Sequence, residues 1–315
     1  MKYPGLDILR GWAAFGIVGR HLGLLPTTDV GAACLYFTDT NVAIFGVVSG
    51  FLMAENLIEK GTSRWQFFCA RCRRLLPAYF IWSAVFIGMT MLFDVLCDGG
   101  RIGDKFYTVR FWYGAVFFGN ASNHLWYVAW LFYWGIALRL VWRVTRYWFV
   151  SLPLAVTCLC FAAFGEGDFF YYAMRLLAFM LFGIVLRDIC CFLLRLPWQC
   201  WLGMFLAAVV THLLCASWST KFIFDAFVVI PLVLVCIRDG VRETGFGRWS
   251  GNMSFGVYLV HPLFAVGCAW IVKRYLTSPY GADIVIFDWL VVLLMSLAVV
   301  VSYRFFMRKL KFVRT

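Results

Sequence analysis

Charge is what this sequence has little of. Only 14% of its 315 residues are Asp, Glu, Lys or Arg, whereas soluble domains run near a quarter. No polar block is long enough for a separate soluble domain, so the chain reads as one membrane domain over 1–315. Strict two-residue alternation is also missing, which excludes a membrane β-barrel. No small-residue cleavage site follows a short apolar core near the N-terminus, so a removed signal peptide is not expected. Nor is there an inverted repeat of the kind that marks many secondary transporters. Twelve cysteines are present, but Cys69 and Cys72 form a lone C-x-x-C with no second pair, which argues against a zinc site, and no metal is expected. Cys34 and Cys97 both fall in segments placed outside the membrane and could pair in an oxidising compartment; the others read as small hydrophobes.

What is abundant is apolar surface: 63% hydrophobic and 20% aromatic residues, with a mean hydropathy of +0.83. Spanning-length apolar segments occur at roughly 6–25, 40–57, 75–96, 125–142, 148–165, 170–187, 198–218, 222–238, 252–272 and 284–303. The expected fold is an all-α polytopic membrane protein, a bundle of about ten transmembrane helices. A net charge of +12 would suggest nucleic acid in a soluble protein. Here the basic residues cluster in alternate loops, so no nucleic-acid partner is expected. With both termini cytoplasmic, the inner segments take 19 of the 28 Lys and Arg, the outer ones 8, and Arg10 lies in the membrane. That bias sets the orientation. Trp126, Trp130, Trp142, Trp148, Trp198, Trp201, Trp218 and Trp270 fall near segment ends, as interfacial anchors do.

The first segment, YPGLDILRGWAAFGIVGRHLG (3–23), carries Asp7, Arg10, Arg20 and His21 in an apolar setting. At 100° per residue, Arg10 and His21 return to within about 20° of each other and lie about 16 Å apart along the axis. Asp7, Ala14 and Ile17 share their side. Gly16, Gly19 and Gly23 lie opposite, where a neighbouring helix can approach closely. The competing reading is a signal-anchor helix with charges at its ends, which suits Arg20 better than Arg10 and His21. Asp7 is too far from His21 to orient it and is placed to pair with Arg10.

Before the third segment, RWQFFCARCRRLLPAYFIW sets Arg71, Arg73 and Arg74 at the inner face. Arg71 and Arg74, three apart, are neighbours on a helix and could grip a phosphate-bearing ligand; the topology bias alone is the other explanation. His124 and Trp126 open the fourth segment at the outer surface, where an interface role competes with a catalytic one. In the ninth, Ser254, Tyr258 and His261 fall near one face, directly before Pro262, which frees a backbone carbonyl. A histidine inside a membrane helix is either functional or an interhelical hydrogen-bonder. His212 reads as core packing, Lys221 as a partner for Asp225, and Asp288 has no evident partner.

Together these stretches resemble the membrane-bound acyltransferase-3 family, the bacterial O-acetyltransferase type. The resemblance rests on YPGLDILRGWAA, with ten residues between Arg10 and His21; IFGVVSGFLMA with Ser49, Gly50 and Phe51; RCRRLLPAYF; HLWYVAWLFYW; and FGVYLVHPLF. Their order covers essentially the whole chain. The chain departs from many members at Ala43, where an acidic residue is usual, and at Ala129–Leu131, where longer members are Glu-rich. No extracytoplasmic hydrolase-like domain is expected beyond the tenth segment. The resemblance implies an acyltransferase of the bacterial inner (cytoplasmic) membrane. It would move an acyl group, expected to be acetyl, from cytoplasmic acyl-CoA to a hydroxyl of an extracytoplasmic or lipid-linked carbohydrate. His21 is the implied catalytic residue, and Arg10, Arg71 and Arg74 the implied donor-binding residues. Asp7, Asp39, Ser49, His124, Trp126, Tyr258 and His261 are candidates for substrate binding or support. No tightly bound cofactor is expected, acyl-CoA being a co-substrate. Transfer directly or through an acyl-His21 is left open, as is the oligomeric state. The alternatives are a transporter or flippase that uses the polar stripe as a path, and a lipid-linked sugar transferase, which would want an acidic outer-loop motif.

Overall fold

The computed structural model describes residues 3–21, 29–97, 103–122, 124–164, 169–214, 218–238, 244–275 and 290–302, and the side chains of most of them. The helices are α1 (Pro4–His21), α2 (Asp29–Lys60), α3 (Arg64–Cys97), α4 (Val109–Phe117), α5 (Trp126–Leu140), α6 (Trp142–Thr145), α7 (Trp148–Phe164), α8 (Phe169–Leu193), α9 (Trp198–Leu214), α10 (Trp218–Ile237) and α11 (Gly245–Tyr275). A further helix, α12, covers Leu290–Ser302, and a short 3-10 turn covers Asp104–Tyr107. Each of the ten apolar segments overlaps one of these helices. Among the described residues, Thr40–Lys60, Arg64–Leu96 and Phe170–Leu193 are long and apolar enough to cross a membrane. In α3 only 22% of the most apolar stretch is buried. Trp65, Phe80, Ile81 and Leu92 lie on its exposed surface, a surface for lipid rather than water. The protein is an all-helical membrane protein.

Local chemistry explains the helix ends. Pro4 opens α1, where its missing N–H costs nothing, and Asp7 sits in the first turn facing the positive end of the helix dipole. Tryptophan is the first residue of α5, α6, α7, α9 and α10, as suits side chains with an apolar body and a polar N–H at a membrane boundary. The α2–α3 connection is only three residues long. Gly61 at φ +54° stops α2 in the left-handed region, which favours glycine there. Ser63 and Gln66 then make a reciprocal capping box: each side chain accepts from the other's backbone N–H at 3.2 Å. Helix α3 therefore starts at Arg64, eleven residues before the apolar segment does. The Arg71–Arg74 stretch is helical throughout, not a loop.

The chain divides into two compact units, one of Met1–Val48 with Cys190–Thr315 and one of Ser49–Ile189. In the first, α1 packs mainly against α11 and also against α10, and α9 packs against α10. Ala13, Ala14, Ile17 and Val18 are buried, and Trp12 is 69% exposed. Of the expected small-residue face of α1, Gly16 is described and does admit a close neighbour, and two further glycines do the same. Gly5 abuts the backbone of Cys236 on α10, Gly11 abuts Ser250 on α11, and Gly16 abuts the Asn41 side chain on α2. Three neighbours approach at three glycines, because a central helix needs close contact on several sides. Gly19 and Gly23, on which the single-face reading relied, lie outside the described side chains.

In the second unit the middle of α8 is mostly apolar and mostly buried, with Leu176, Ala178, Phe179, Met180 and Leu181 fully enclosed. Gly50 of α2 meets the Met180 carbonyl backbone to backbone. Helix α3 packs on α5 and α4. Gly119, at φ +80°, lies against the Leu125–Trp126 backbone, which lets the chain return tightly from α4 to α5.

Candidate functional site

In the first unit the polar end of α1 is enclosed. Asp7 is buried and its carboxylate is 3.5 Å from the Arg10 guanidinium. Gly251 on α11 makes the room, since a Cβ there would fall 2.5 Å from the Asp7 Cβ. Gly11 and Ser250 form the next rung, where a Cβ on Gly11 would fall 2.6 Å from Ser250 Oγ. A charged pair between small residues is thus held inside a helix pair. It survives there because each charge has the other within reach and neither is stranded. Helix α1 runs on to His21. The side chains of His21, Asp39, His212 and Lys221 lie outside the described residues, as do Cys34, Cys97 and Asp288, so the expected Lys221–Asp225 and Cys34–Cys97 pairs are not described. Asp225 itself is buried in α10.

On α11, Ser254, Tyr258 and His261 are all buried. Ser254 Oγ donates to the Gly251 carbonyl at 2.7 Å. His261 Nδ1 stands 3.1 Å from the Val257 carbonyl. A carbonyl only accepts, so Nδ1 carries the proton. Pro262 removes the amide that would otherwise bond Tyr258 O, and His261 folds back on the carbonyl one residue earlier. The Tyr258 ring centroid lies 6.0 Å from that of His261 and 6.0 Å from that of Phe45 on α2.

The second unit holds the other candidates. Arg71 ties three helices: Nη1 donates to the Leu131 carbonyl of α5 at 2.8 Å, and Nη2 reaches Met53 Sδ of α2 at 3.7 Å. Its guanidinium also lies 5.2 Å from the Phe67 ring centroid, one turn earlier on α3, a cation–π contact. Gly135 is the reason it fits, because any Cβ there would overlap the guanidinium. Arg74, by contrast, is exposed. The Arg-x-x-Arg pair is therefore one interior strut and one outward charge rather than two matched forks. Ser49 is half-buried on α2. His124 is 2% exposed, with Nδ1 3.0 Å from Ser122 Oγ and its ring edge-on to Phe86 at 5.0 Å. Trp126 lies 5.0 Å from Tyr172 on α8, centroid to centroid. His124, buried, and Trp126, half-buried, each contact aromatic side chains of their own unit.

Sequence reading passed over one charged pair. Glu55 of α2, buried, bonds Arg187 of α8. The signal was available, since Glu55 is an acid inside an apolar run, and such a residue needs a partner. Cys69 and Cys72 are free thiols.

The all-helical build, with three helices among the described residues long and apolar enough to cross a membrane, defines the class: a polytopic membrane protein. The chain belongs to the acyltransferase-3 family, whose acyltransferase domain matches residues 3–307. It is a membrane acyltransferase. No curated protein and no solved structure matches it significantly.

Proposed function

We propose that this protein transfers an acyl group, acetyl in the first instance, from cytoplasmic acyl-CoA to a hydroxyl of an extracytoplasmic or lipid-linked carbohydrate, in the inner membrane of a bacterium and with both termini inside. The observation that carries this reading is the buried Asp7–Arg10 pair on α1, on the helix that ends at His21, within a chain matched to the acyltransferase domain nearly end to end. Arg10, Arg71 and Arg74 serve the anionic donor, and His21 serves the acceptor. Neutral His21 takes the proton of the attacking hydroxyl as its oxygen forms the new C–O ester bond. The thioester C–S bond breaks, and the leaving thiolate recovers the proton. A histidine is suited to this because its ordinary pKa lies near working pH. Asp7 keeps Arg10 oriented, and Asp39, Ser49, His124, Trp126, Tyr258 and His261 are supporting positions.

The test is transfer of labelled acetyl from acetyl-CoA to envelope glycan by the purified protein in proteoliposomes. Labelled ester on the glycan, with release of free CoA thiol, supports the reading. Counterflow of an intact solute without thioester cleavage would replace it with a transporter.

A further inference from the structure

The second unit contains a cleft of about 400 Å³ that neither the family motifs nor the proposed site uses. Its walls carry Arg64 from the first turn of α3, Arg139 from the last turn of α5, and Arg143 from α6, with Leu57, Gly61 and Trp142 completing much of the surface. Among the described residues, no carboxylate lines it. Three guanidiniums around one cavity repel one another, and an anion in their midst relieves that repulsion. Arg139 is fixed in place, with Nη2 donating to the Thr62 carbonyl at 2.6 Å. Arg64 and Arg143 are exposed, with donors available to an incoming ligand. The first-turn amides of α3 add to the positive end of a helix dipole at the same place.

The cleft is also continuous in register with Arg71. Arg64 and Arg71 are seven residues apart on α3, hence within about 20° of one face and about 10 Å apart along the axis. Arg71 contacts α5 at Leu131 and lies over Gly135, and Arg139 is one turn beyond Gly135. The α3–α5 seam thus presents guanidiniums in succession from the cleft inward.

We infer that Arg64, Arg139 and Arg143 form a phosphate site that holds the nucleotide end of the acyl donor. This rests on the acyl-CoA reading above. It moves the phosphate grip away from the Arg71–Arg74 pair, since Arg71 is engaged with Leu131 and Met53. Guanidinium forks match phosphate oxygens in shape as well as charge, and Trp142 offers an aromatic face of the kind on which a base stacks. The phosphate of an anionic lipid headgroup has the same charge chemistry without the base, and Trp142 is what favours the nucleotide.

The experiment compares acetyl-CoA with acetyl-pantetheine, the same thioester without the nucleotide, using wild type and the Arg64→Gln/Arg143→Gln double variant. A second arm measures thermal stabilisation of the detergent-purified proteins by 3′-phospho-ADP and, separately, by phosphatidylglycerol. The expected result is that the wild-type preference in kcat/KM for acetyl-CoA over acetyl-pantetheine falls about a hundredfold in the variant, about tenfold per charged hydrogen bond removed. Stabilisation by 3′-phospho-ADP should be lost with it. An unchanged preference, or loss of the lipid response alone, overturns the proposal. Thioester cleavage of neither donor by wild type would sink the acyltransfer reading instead. The 3′-phospho-ADP arm would still decide the cleft.

Discussion

The sharpest perturbation is Gly135→Ala, which adds one methyl and removes no charge. That methyl occupies the space now filled by the Arg71 guanidinium, so the Arg71 head must move by about a methyl diameter. It then loses its 2.8 Å bond to the Leu131 carbonyl. Two effects on stability oppose one another. Replacing glycine in the interior of α5 favours the helix by about 1 kcal/mol, whereas losing a charged hydrogen bond costs about 1.5–3 kcal/mol. The net loss is about 0.5–2 kcal/mol, small enough for the protein to remain folded. Function is expected to respond more strongly, because a displacement of about 1 Å in a positioning group can cost on the order of a hundredfold in rate. The assay pairs kcat/KM for acetyl-CoA with the thermal midpoint in detergent. A drop of tenfold or more in kcat/KM with a midpoint lowered by only a few degrees identifies Arg71 as a donor-positioning residue. Wild-type kcat/KM beside a lowered midpoint would refute the reasoning and leave Arg71 as a strut between α3 and α5.

His21→Ala should lower acetyl transfer by roughly 10²–10⁴ without altering detergent elution or thermal midpoint; transfer at the wild-type rate would exclude His21 as the base. Arg187→Met takes the Arg187 partner from the buried Glu55 carboxylate and should destabilise by up to about 3–5 kcal/mol, most of it recovered in the Glu55→Leu/Arg187→Met double variant. Double-mutant thermal midpoints decide this, and additive losses would show that the pair is not coupled. Gly50→Ala drives a methyl into the Met180 carbonyl, where no flexible side chain can yield. It should cost at least about 1–3 kcal/mol, read as lower folded yield, and a wild-type yield would mean that α2 and α8 can separate there.

Hydropathy located the long helices and missed where three of them, α2, α3 and α11, begin. Helix α3 was hidden because Arg64, Gln66, Arg71, Arg73 and Arg74 interrupt its apolar signal. Its true start was nonetheless written in Gly61 and the Ser63–Gln66 capping box, local signals independent of hydropathy. The Asp7–Arg10 pair was legible because both residues lie on one helix at a spacing that brings side chains together. The different fates of Arg71 and Arg74 were not, since they depend on a bare glycine sixty-four positions later in the chain. Glu55, an acid inside an apolar run, announced that it needs a partner, but not that the partner is Arg187, because α2 and α8 meet only after folding. The glycines of α1 told that helices come close but not that three different ones do.

The three-residue joint at Gly61–Ser63 also bears on how the protein is made. Helices of 32 and 34 residues linked so tightly leave no slack for one to settle in the bilayer before the other arrives. The arginine that pins the joint through the Thr62 carbonyl lies seventy-seven residues later in the chain, so this clasp can close only once α5 has been made.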